Sequence, residues 1–322
     1  MRKIESISSG RVSKNKENII SLLKNKNKSL PTKYLYDDLG SKLFEEICDT
    51  EEYYLTRTEK EIIDQYSMDI IDTSCAQEIF ELGSGSSKKT KRLILNALEN
   101  NDNVTYFSFD ISAKALKMSY NQLRKISNKL HIRLIKGDFN NDLNILSSSK
   151  KNRLYMFLGS TIGNFDDIQA KKFLSDISNI MKENDSFLLG VDRVKDEKII
   201  KMAYNDKKGI TGKFNKNILN VVNKEYKLNF NENNFAHNAK YNVQKSQIEM
   251  YLEAITQQSI ILPNKESLDI NIGDKILTEI SRKFSEKTLK MLFNKSALVP
   301  IKCYTDKKNY FSLYLLKAKK YF

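Results

Sequence analysis

Gln77-Glu78-Ile79-Phe80-Glu81-Leu82-Gly83-Ser84-Gly85-Ser86-Ser87 decides how this chain folds. A short apolar run that stops at two closely spaced glycines reads as a buried strand entering a tight turn, and Lys91–Leu98 behind it has the apolar spacing of a helix. Outward from this stretch the alternation repeats. Val104–Asp110 is strand-like, and Ser112 can cap a helix running from Ala113 to about Lys125. Ile132–Lys136, Arg153–Leu158 and Ser186–Asp192 follow as strands, with a helix over Ala170–Met181 between the last two. Strands alternating with helices in this way predict an α/β fold, a mostly parallel sheet covered on both faces. The alternation breaks after Val194, where a lysine-rich helical stretch precedes strand-like Gln247–Ile255 and Lys275–Lys283. It resumes with a helix over Ser285–Lys295 and strands over Leu298–Tyr304 and Tyr310–Leu316, close enough in sequence to form an antiparallel hairpin. The expectation is a doubly wound sheet ending in that hairpin, with an insertion before its last elements and helices outside the sheet over the first 58 residues.

The 322 residues suffice for two domains, and 40% hydrophobic with 29% charged residues and 3 prolines is a globular composition. No apolar run approaches the ~20 residues that span a bilayer, and the N-terminal residues lack the apolar core of a secretory signal. Cys48, Cys75 and Cys303 have neither metal-ligand nor disulfide spacing, so the expectation is a reducing cytoplasm and no bound metal. A net charge of +14 invites a nucleic-acid partner. However, only 9 of the 54 basic residues are Arg, and the lysines are scattered, often beside Asn as in Lys24-Asn-Lys-Asn-Lys28. That pattern predicts a solvated surface, with neither nucleic acid nor membrane as partner.

The turn after the first strand has G-x-G, but Lys88 stands where a dinucleotide fold would place its third glycine, which argues against a pyrophosphate cradle. Asp110, ending the second strand, can accept both hydroxyls of a ribose. Asp138 and Phe139, after the third, offer a carboxylate for an exocyclic amine and an aromatic wall for a base. Together these residues describe a site for a nucleoside without phosphates, as in S-adenosylmethionine. Asn164 follows Gly163 at a sheet carboxyl edge, where ligands bind. Glu279 and Ser281 lie two apart on a strand, so they share a face and can hold a ring with one N–H donor and one acceptor. On residue type alone that pair could equally be a solvent-facing strand edge. Tyr36, Tyr53 and Tyr204 could equally be packing aromatics among 16 tyrosines. His131 and His237 read as incidental.

From about Leu30 onward the chain resembles the histidine-specific, S-adenosylmethionine-dependent Nα-methyltransferases that make hercynine, an enzyme family of ergothioneine biosynthesis. The resemblance rests on Tyr34-Leu-Tyr-Asp-Asp-Leu-Gly40, Glu52-Tyr-Tyr-Leu-Thr-Arg-Thr-Glu59, Glu81-Leu-Gly-Ser-Gly85, Phe157-Leu-Gly-Ser-Thr-Ile-Gly-Asn164, Ala203-Tyr-Asn-Asp206, Ile248-Glu-Met250 and Thr278-Glu-Ile-Ser281. It implies a Rossmann-like class I methyltransferase domain, 59–194 plus 285–322, and a substrate-binding domain, 1–58 plus 195–284. It implies cofactor contacts from Gly83, Lys89, Asp110, Asp138 and Phe139. Asn164 and Tyr204 would hold the amino and carboxylate end of L-histidine, and Tyr36 would line the methyl-transfer site with Asn164. Tyr53 would touch the imidazole, Glu279 and Ser281 would recognise it, and Met250 would pack beside it. The small or hydroxylated Ser160 and Thr161 would leave room for a growing amine. The expected enzyme is a monomer. The competing readings are the same chemistry on another amino acid such as tryptophan, a nucleic-acid methyltransferase, and a binding-only descendant of the fold.

Overall fold

The computed structural model describes residues 4–6, 19–139, 142–143, 149 and 151–321. The chain divides into two compact units, unit 1 (Met1–Ser9, Leu55–Val194 and Lys283–Phe322) and unit 2 (Gly10–Tyr54 and Lys195–Arg282).

Unit 1 is built on an eight-stranded sheet. Its strands are β1 (Glu5–Ser6), β3 (Glu78–Leu82), β4 (Val104–Asp110), β5 (Leu130–Lys136), β6 (Arg153–Phe157), β7 (Ser186–Asp192), β13 (Leu298–Thr305) and β14 (Phe311–Ala318). Their order is β1-β5-β4-β3-β6-β7-β14-β13; β14 runs antiparallel to both neighbours and the remaining pairs are parallel. All five residues of β3 are buried, as a central strand covered on both faces requires. Phe80 and Leu82 point into a layer with Phe107, Phe157 and Phe187, filled from α6 (Asp167–Ile180) and α9 (Glu286–Lys295). Ile79 points the other way, towards Tyr106, Met156 and Leu188, against α3 (Tyr54–Ser74), α4 (Lys91–Asn100) and α5 (Ala113–Leu123). The two carboxylates of β3 are paired at opposite ends of the strand. Arg153 donates to Glu78 from Nε (3.0 Å) and Nη2 (2.6 Å), while Thr90 Oγ1 (2.7 Å) and the Tyr106 hydroxyl donate to Glu81. Sequence order reverses at β3, which leads to β4 and β5 on one side and is flanked by β6 and β7 on the other. The carboxyl ends of β3 and β6 therefore form the crevice in which open α/β sheets bind ligands.

Local signals set the helix starts. Ser112 accepts from the Ala115 amide at 3.2 Å and begins α5. The α6 helix begins at Asp167 rather than Ala170, because Asp166 and Gln169 close a reciprocal capping box that periodicity alone does not register.

Two expectations need correction. The first 58 residues are not all helices outside the sheet: Glu5–Ser6 adds a parallel strand to the β5 edge, and Arg133 donates to both Glu5 carboxylate oxygens (3.1 and 2.6 Å). Residues 7–18 of that segment lie outside the described residues. The 195–284 stretch also has more strands than expected.

Unit 2 contains α1 (Ile19–Lys24), β2 (Lys28–Ser29), α2 (Asp38–Cys48), α7 (Glu197–Ala203), α8 (Ile210–Tyr226), β8 (Phe235–Asn242), β9 (Gln247–Ala254), β10 (Gln258–Ile261), β11 (Ser267–Ile270) and β12 (Lys275–Arg282). A four-stranded sheet runs β2-β12-β9-β8, and β10 and β11 form a separate hairpin. The β8 strand escapes a propensity reading because its sequence, Phe-Ala-His-Asn-Ala-Lys-Tyr-Asn, is poor in β-formers, and tertiary pairing with β9 overrides that.

Candidate active site

The turn after β3 is made by Gly83 (φ +64°) and Gly85 (φ +52°), a left-handed backbone that L side chains rarely adopt. A Cβ on Gly83 would touch the Phe139 ring at 3.7 Å, so the turn and the aromatic expected at the base site lie side by side. The Gly85 amide donates to Asp110 Oδ2 (2.9 Å) and the Ser112 amide to Asp110 Oδ1 (2.8 Å). Burial pushes the Asp110 carboxyl above its ordinary value, and these backbone donors pull it back. An ionised carboxylate has about four acceptor positions, so these backbone donors, the Ile111 amide among them, leave capacity for a ribose hydroxyl. Asp138 begins the segment after β5, with its amide donating to Asp142 Oδ2 (2.8 Å). Phe139 packs edge-on against Phe157 at 5.2 Å between ring centroids. A glycine turn, a strand-end carboxylate and an aromatic wall on one sheet edge fit the nucleoside end of S-adenosylmethionine.

Lys89 is held by Glu59, a residue whose part the sequence reading did not assign. The Glu59 side chain is fully buried, pairs with the Lys89 ammonium, and accepts the Gly159 amide at 2.7 and 3.0 Å on its two oxygens. Gly190 on β7 makes room for it: a Cβ there would stand 2.3 Å from Glu59 Oε1. The strand-end segment after β6 is thus fixed at Gly159. It is fixed again at Ser160 (φ +56°), whose Oγ accepts the Asp192 amide at 2.9 Å. Asn164 ends the 3-10 turn that follows, Thr161–Asn164. The hydroxyls of Ser160 and Thr161, the small residues of this segment, also tie it down, with Thr161 Oγ1 donating to the Leu158 carbonyl (2.8 Å).

Unit 2 carries Tyr36, Tyr53, Tyr204, Met250, Glu279 and Ser281. Glu279 and Ser281 are 6% and 3% exposed on β12, an inner strand between β2 and β9, which rules out a solvent-facing edge. The pairing of β12 with β9 shifts between Leu277 and Glu279, and beyond the shift Glu279 stands opposite buried Met250. The Tyr36 hydroxyl donates to Glu279 Oε2 (3.4 Å) and the Tyr204 hydroxyl to Ser281 Oγ (2.8 Å). Tyr53 lies edge-on to Tyr204 at 6.0 Å between ring centroids. Burial, and then the neighbouring Glu279 charge, push the Tyr36 phenol well above its ordinary value; burial does the same to Tyr53. Both stay protonated at neutral pH, so neither takes a proton.

Two aromatics absent from the expectation complete this group. Phe44 contacts Tyr36 (5.6 Å) and Tyr53 (6.1 Å), and Phe214 contacts Tyr36 (5.4 Å). Their only sequence signal was an apolar position on an amphipathic helix, which every core residue shares. His237 also needs reassignment: far from incidental, its Nε2 meets the Tyr204 carbonyl at 2.9 Å. His131 is exposed, with Asn103 Oδ1 3.4 Å from its Nε2.

A protein family described as histidine-specific methyltransferase, SAM-dependent, matches residues 15–318. A histidine N-alpha-methyltransferase of Mycobacterium tuberculosis is 35% identical over 302 residues, 93% of this chain and 94% of that one. The enzyme of the same name from Mycolicibacterium smegmatis is 37% identical, covering 89% and 90%. Among solved structures, an S-adenosylmethionine-dependent methyltransferase from Clostridium acetobutylicum aligns at 15% identity and a TM-score of 0.46 over 87% of this chain and 96% of that one.

Proposed function

The chain belongs to the histidine-specific, S-adenosylmethionine-dependent methyltransferase family, and from that premise we propose that it methylates the α-amino nitrogen of L-histidine, up to trimethylhistidine (hercynine). The observation that carries the choice of acceptor is the buried pair Glu279 and Ser281 on an inner strand. Glu279 accepts one imidazole N–H. With Oγ accepting from Tyr204, the Ser281 hydroxyl acts as the donor to the other ring nitrogen. Indole has an N–H but no second ring nitrogen, and phenyl has neither. Either ring leaves part of a desolvated polar pair unmatched, at a cost of about 1–3 kcal/mol per group.

Bound S-adenosylmethionine supplies an electrophilic methyl group on a sulfonium. The chain's part is orientation, since an in-line displacement on an amine needs no covalent enzyme intermediate. In unit 1, Asp110 takes the ribose, Asp138 and Phe139 the base, and Gly83 and Lys89 the remainder of the donor; Asn164 holds the amino end of histidine. In unit 2, Tyr204 stands beside the amino-acid end of histidine with its O–H given to Ser281, Tyr53 and Met250 flank the ring, and Tyr36 lines the path of the amine. The amine itself has a reference pKa of about 7.7–8.0, so a useful fraction is unprotonated near neutrality without a strong base. Tyr36, kept protonated by burial, gives its O–H to Glu279 Oε2, so towards the amine its oxygen can only accept and the nitrogen lone pair stays available.

The proposal extends to a monomer in a reducing cytoplasm that works without a bound metal. Among the described residues no helix is long and apolar enough to cross a membrane. The test is incubation with S-adenosylmethionine and each amino acid in turn, with mass spectrometry of the products. Histidine gaining one, two and three methyl groups is the expected result. Methylation of tryptophan in preference to histidine would overturn the reading of Glu279 and Ser281.

A further inference from the structure

A run of hydrogen bonds in unit 2 connects the strand bearing Glu279 and Ser281 to the backbone of Tyr204. Thr278 Oγ1 donates to Asn215 Oδ1 (2.5 Å), and Asn215 Nδ2 meets both the Tyr251 carbonyl (3.0 Å) and His237 Nδ1 (2.9 Å). His237 Nε2 then meets the Tyr204 carbonyl at 2.9 Å. The polarity of the run is set from both ends, because a carbonyl oxygen can only accept. The Tyr251 carbonyl requires the amide nitrogen of Asn215 on that side, so His237 Nδ1 must accept. The Tyr204 carbonyl requires a proton on His237 Nε2. Both ends demand the same neutral tautomer. A second proton on the ring would set an N–H against the Asn215 amide N–H. Burial already pushes the His237 imidazole below its ordinary value; Lys216 adds to that, while the Tyr204 carbonyl and Asp206 oppose it.

Tyr204 is the residue at which α7 ends, and the last carbonyls of a helix have no partner within it. His237 satisfies this one, from a strand 33 residues away in sequence. The same tyrosine is held at its other end, where its hydroxyl donates to Ser281 Oγ (2.8 Å). Backbone and phenol are therefore both anchored, and both anchors trace back to β12, one through Thr278 and one through Ser281.

We infer that His237 is a positioning residue for substrate: its Nε2 proton fixes the main chain of Tyr204 so that the phenol stays in register with Ser281 and with the acceptor amino acid. The inference rests on the proposed role of Tyr204 and Ser281 in holding histidine. It separates His237 from the residues that touch ligand, and it predicts an effect on acceptor binding without one on the donor or on the transfer step.

The experiment uses the full chain with two substitutions. His237→Phe keeps the ring volume and removes both nitrogens, while His237→Gln returns an N–H donor near the place of Nε2. Histidine KM and kcat, S-adenosylmethionine affinity by calorimetry, and the melting temperature are measured for each. The expected result for His237→Phe is a histidine KM raised about ten-fold, with kcat and donor affinity changed by less than about two-fold. His237→Gln should recover KM to within about three-fold of the parent. A His237→Phe KM within about two-fold of the parent overturns the inference, as does a parallel loss of donor affinity. Should His237→Phe not fold, the parent protein decides by 15N spectroscopy of its imidazoles. With 2 histidines in the chain, the His237 signals are assigned by a His131→Gln variant. A neutral Nε2–H ring with an accepting Nδ1 supports the inference, and an Nδ1–H ring overturns it. If the parent methylates a different amino acid, the histidine reading fails by itself, and the KM of that acceptor then tests His237 by the same criteria.

Discussion

The proposed donor side in unit 1 and the proposed acceptor side in unit 2 are made from different material. Around Gly83, Gly85 and Asp110 the decisive contacts run between backbone and side chain: the carboxylate is oriented by the amides of Gly85, in the turn after β3, and Ser112, at the start of α5. Around Glu279 and Ser281 they run between side chains. Tyr36, Tyr204, Asn215 and His237 come from four separate elements and support one another through hydroxyl, amide and imidazole groups. A site made largely by the backbone tolerates little change in conformation, whereas one made by side chains can be retuned one group at a time. On the proposed assignment, the donor side is then the fixed part and the acceptor side the part that sets specificity.

That contrast can be broken in four places, from the largest expected effect downwards. Asp110→Ala should weaken S-adenosylmethionine binding on the order of 10³-fold by calorimetry, since it removes a charged acceptor from a ribose diol and strands two amides. Histidine binding that collapsed with it would mean the two sides are not separable.

The second concerns Glu81, buried beneath the glycine turn, with Glu59 and Lys89 as its charged neighbours. Burial raises its carboxyl from 4.5 to about 7, against the pull of the Tyr106 and Thr90 hydrogen bonds and the Lys89 charge. The unfolded chain ionises at the lower value, so its stability advantage is complete below about pH 4.5 and lost as pH rises through about 7. The size is about 3 kcal/mol. Denaturant titrations at a series of pH values should show this slope, and Glu81→Gln should flatten it; an unchanged slope in the variant would show that Glu81 is ionised throughout.

Third, Glu279→Ala should raise the histidine KM roughly 30- to 100-fold and leave donor affinity within about two-fold. Equal losses in both would place Glu279 in the fold rather than in acceptor recognition. The smallest effect belongs to Ser281→Ala, a rise of about five- to ten-fold in histidine KM with little change for tryptophan, narrowing the preference between the rings. A widened preference would reverse the role given to that hydroxyl.

The same contrast explains what the sequence made legible. The β3 turn, the strand ends at Asp110 and Asp138, and the cap at Ser112 are local patterns, and a reader who follows burial and glycine along the chain meets each of them in order. Glu279 and Ser281 announce a shared face, but whether that face is buried depends on β2 and β9 flanking the strand, and β2 is two residues long. His237 lies in an Asn-rich strand that resists recognition. Its role is created by Asn215 and by the end of α7, neither near it in sequence. Glu59 ends the stretch Glu52–Glu59, yet its partners Lys89 and Gly159 lie 30 and 100 residues away. Phe44 and Phe214 carry no signal beyond apolarity. Residue contacts between distant segments, rather than residue types, are what the linear reading lacks.

The position of β14 has a consequence for how the molecule is made. This strand lies between β7 and β13, inside the sheet of unit 1 rather than at its rim, and it follows every other strand among the described residues. During synthesis every residue of unit 2, up to Arg282, leaves the ribosome before the elements that complete unit 1 exist. Until then β7 presents an unpaired edge, the kind of surface that recruits foreign strands. Unit 2 can therefore pair its own strands first, and the sheet of unit 1 is completed only when β14 has followed.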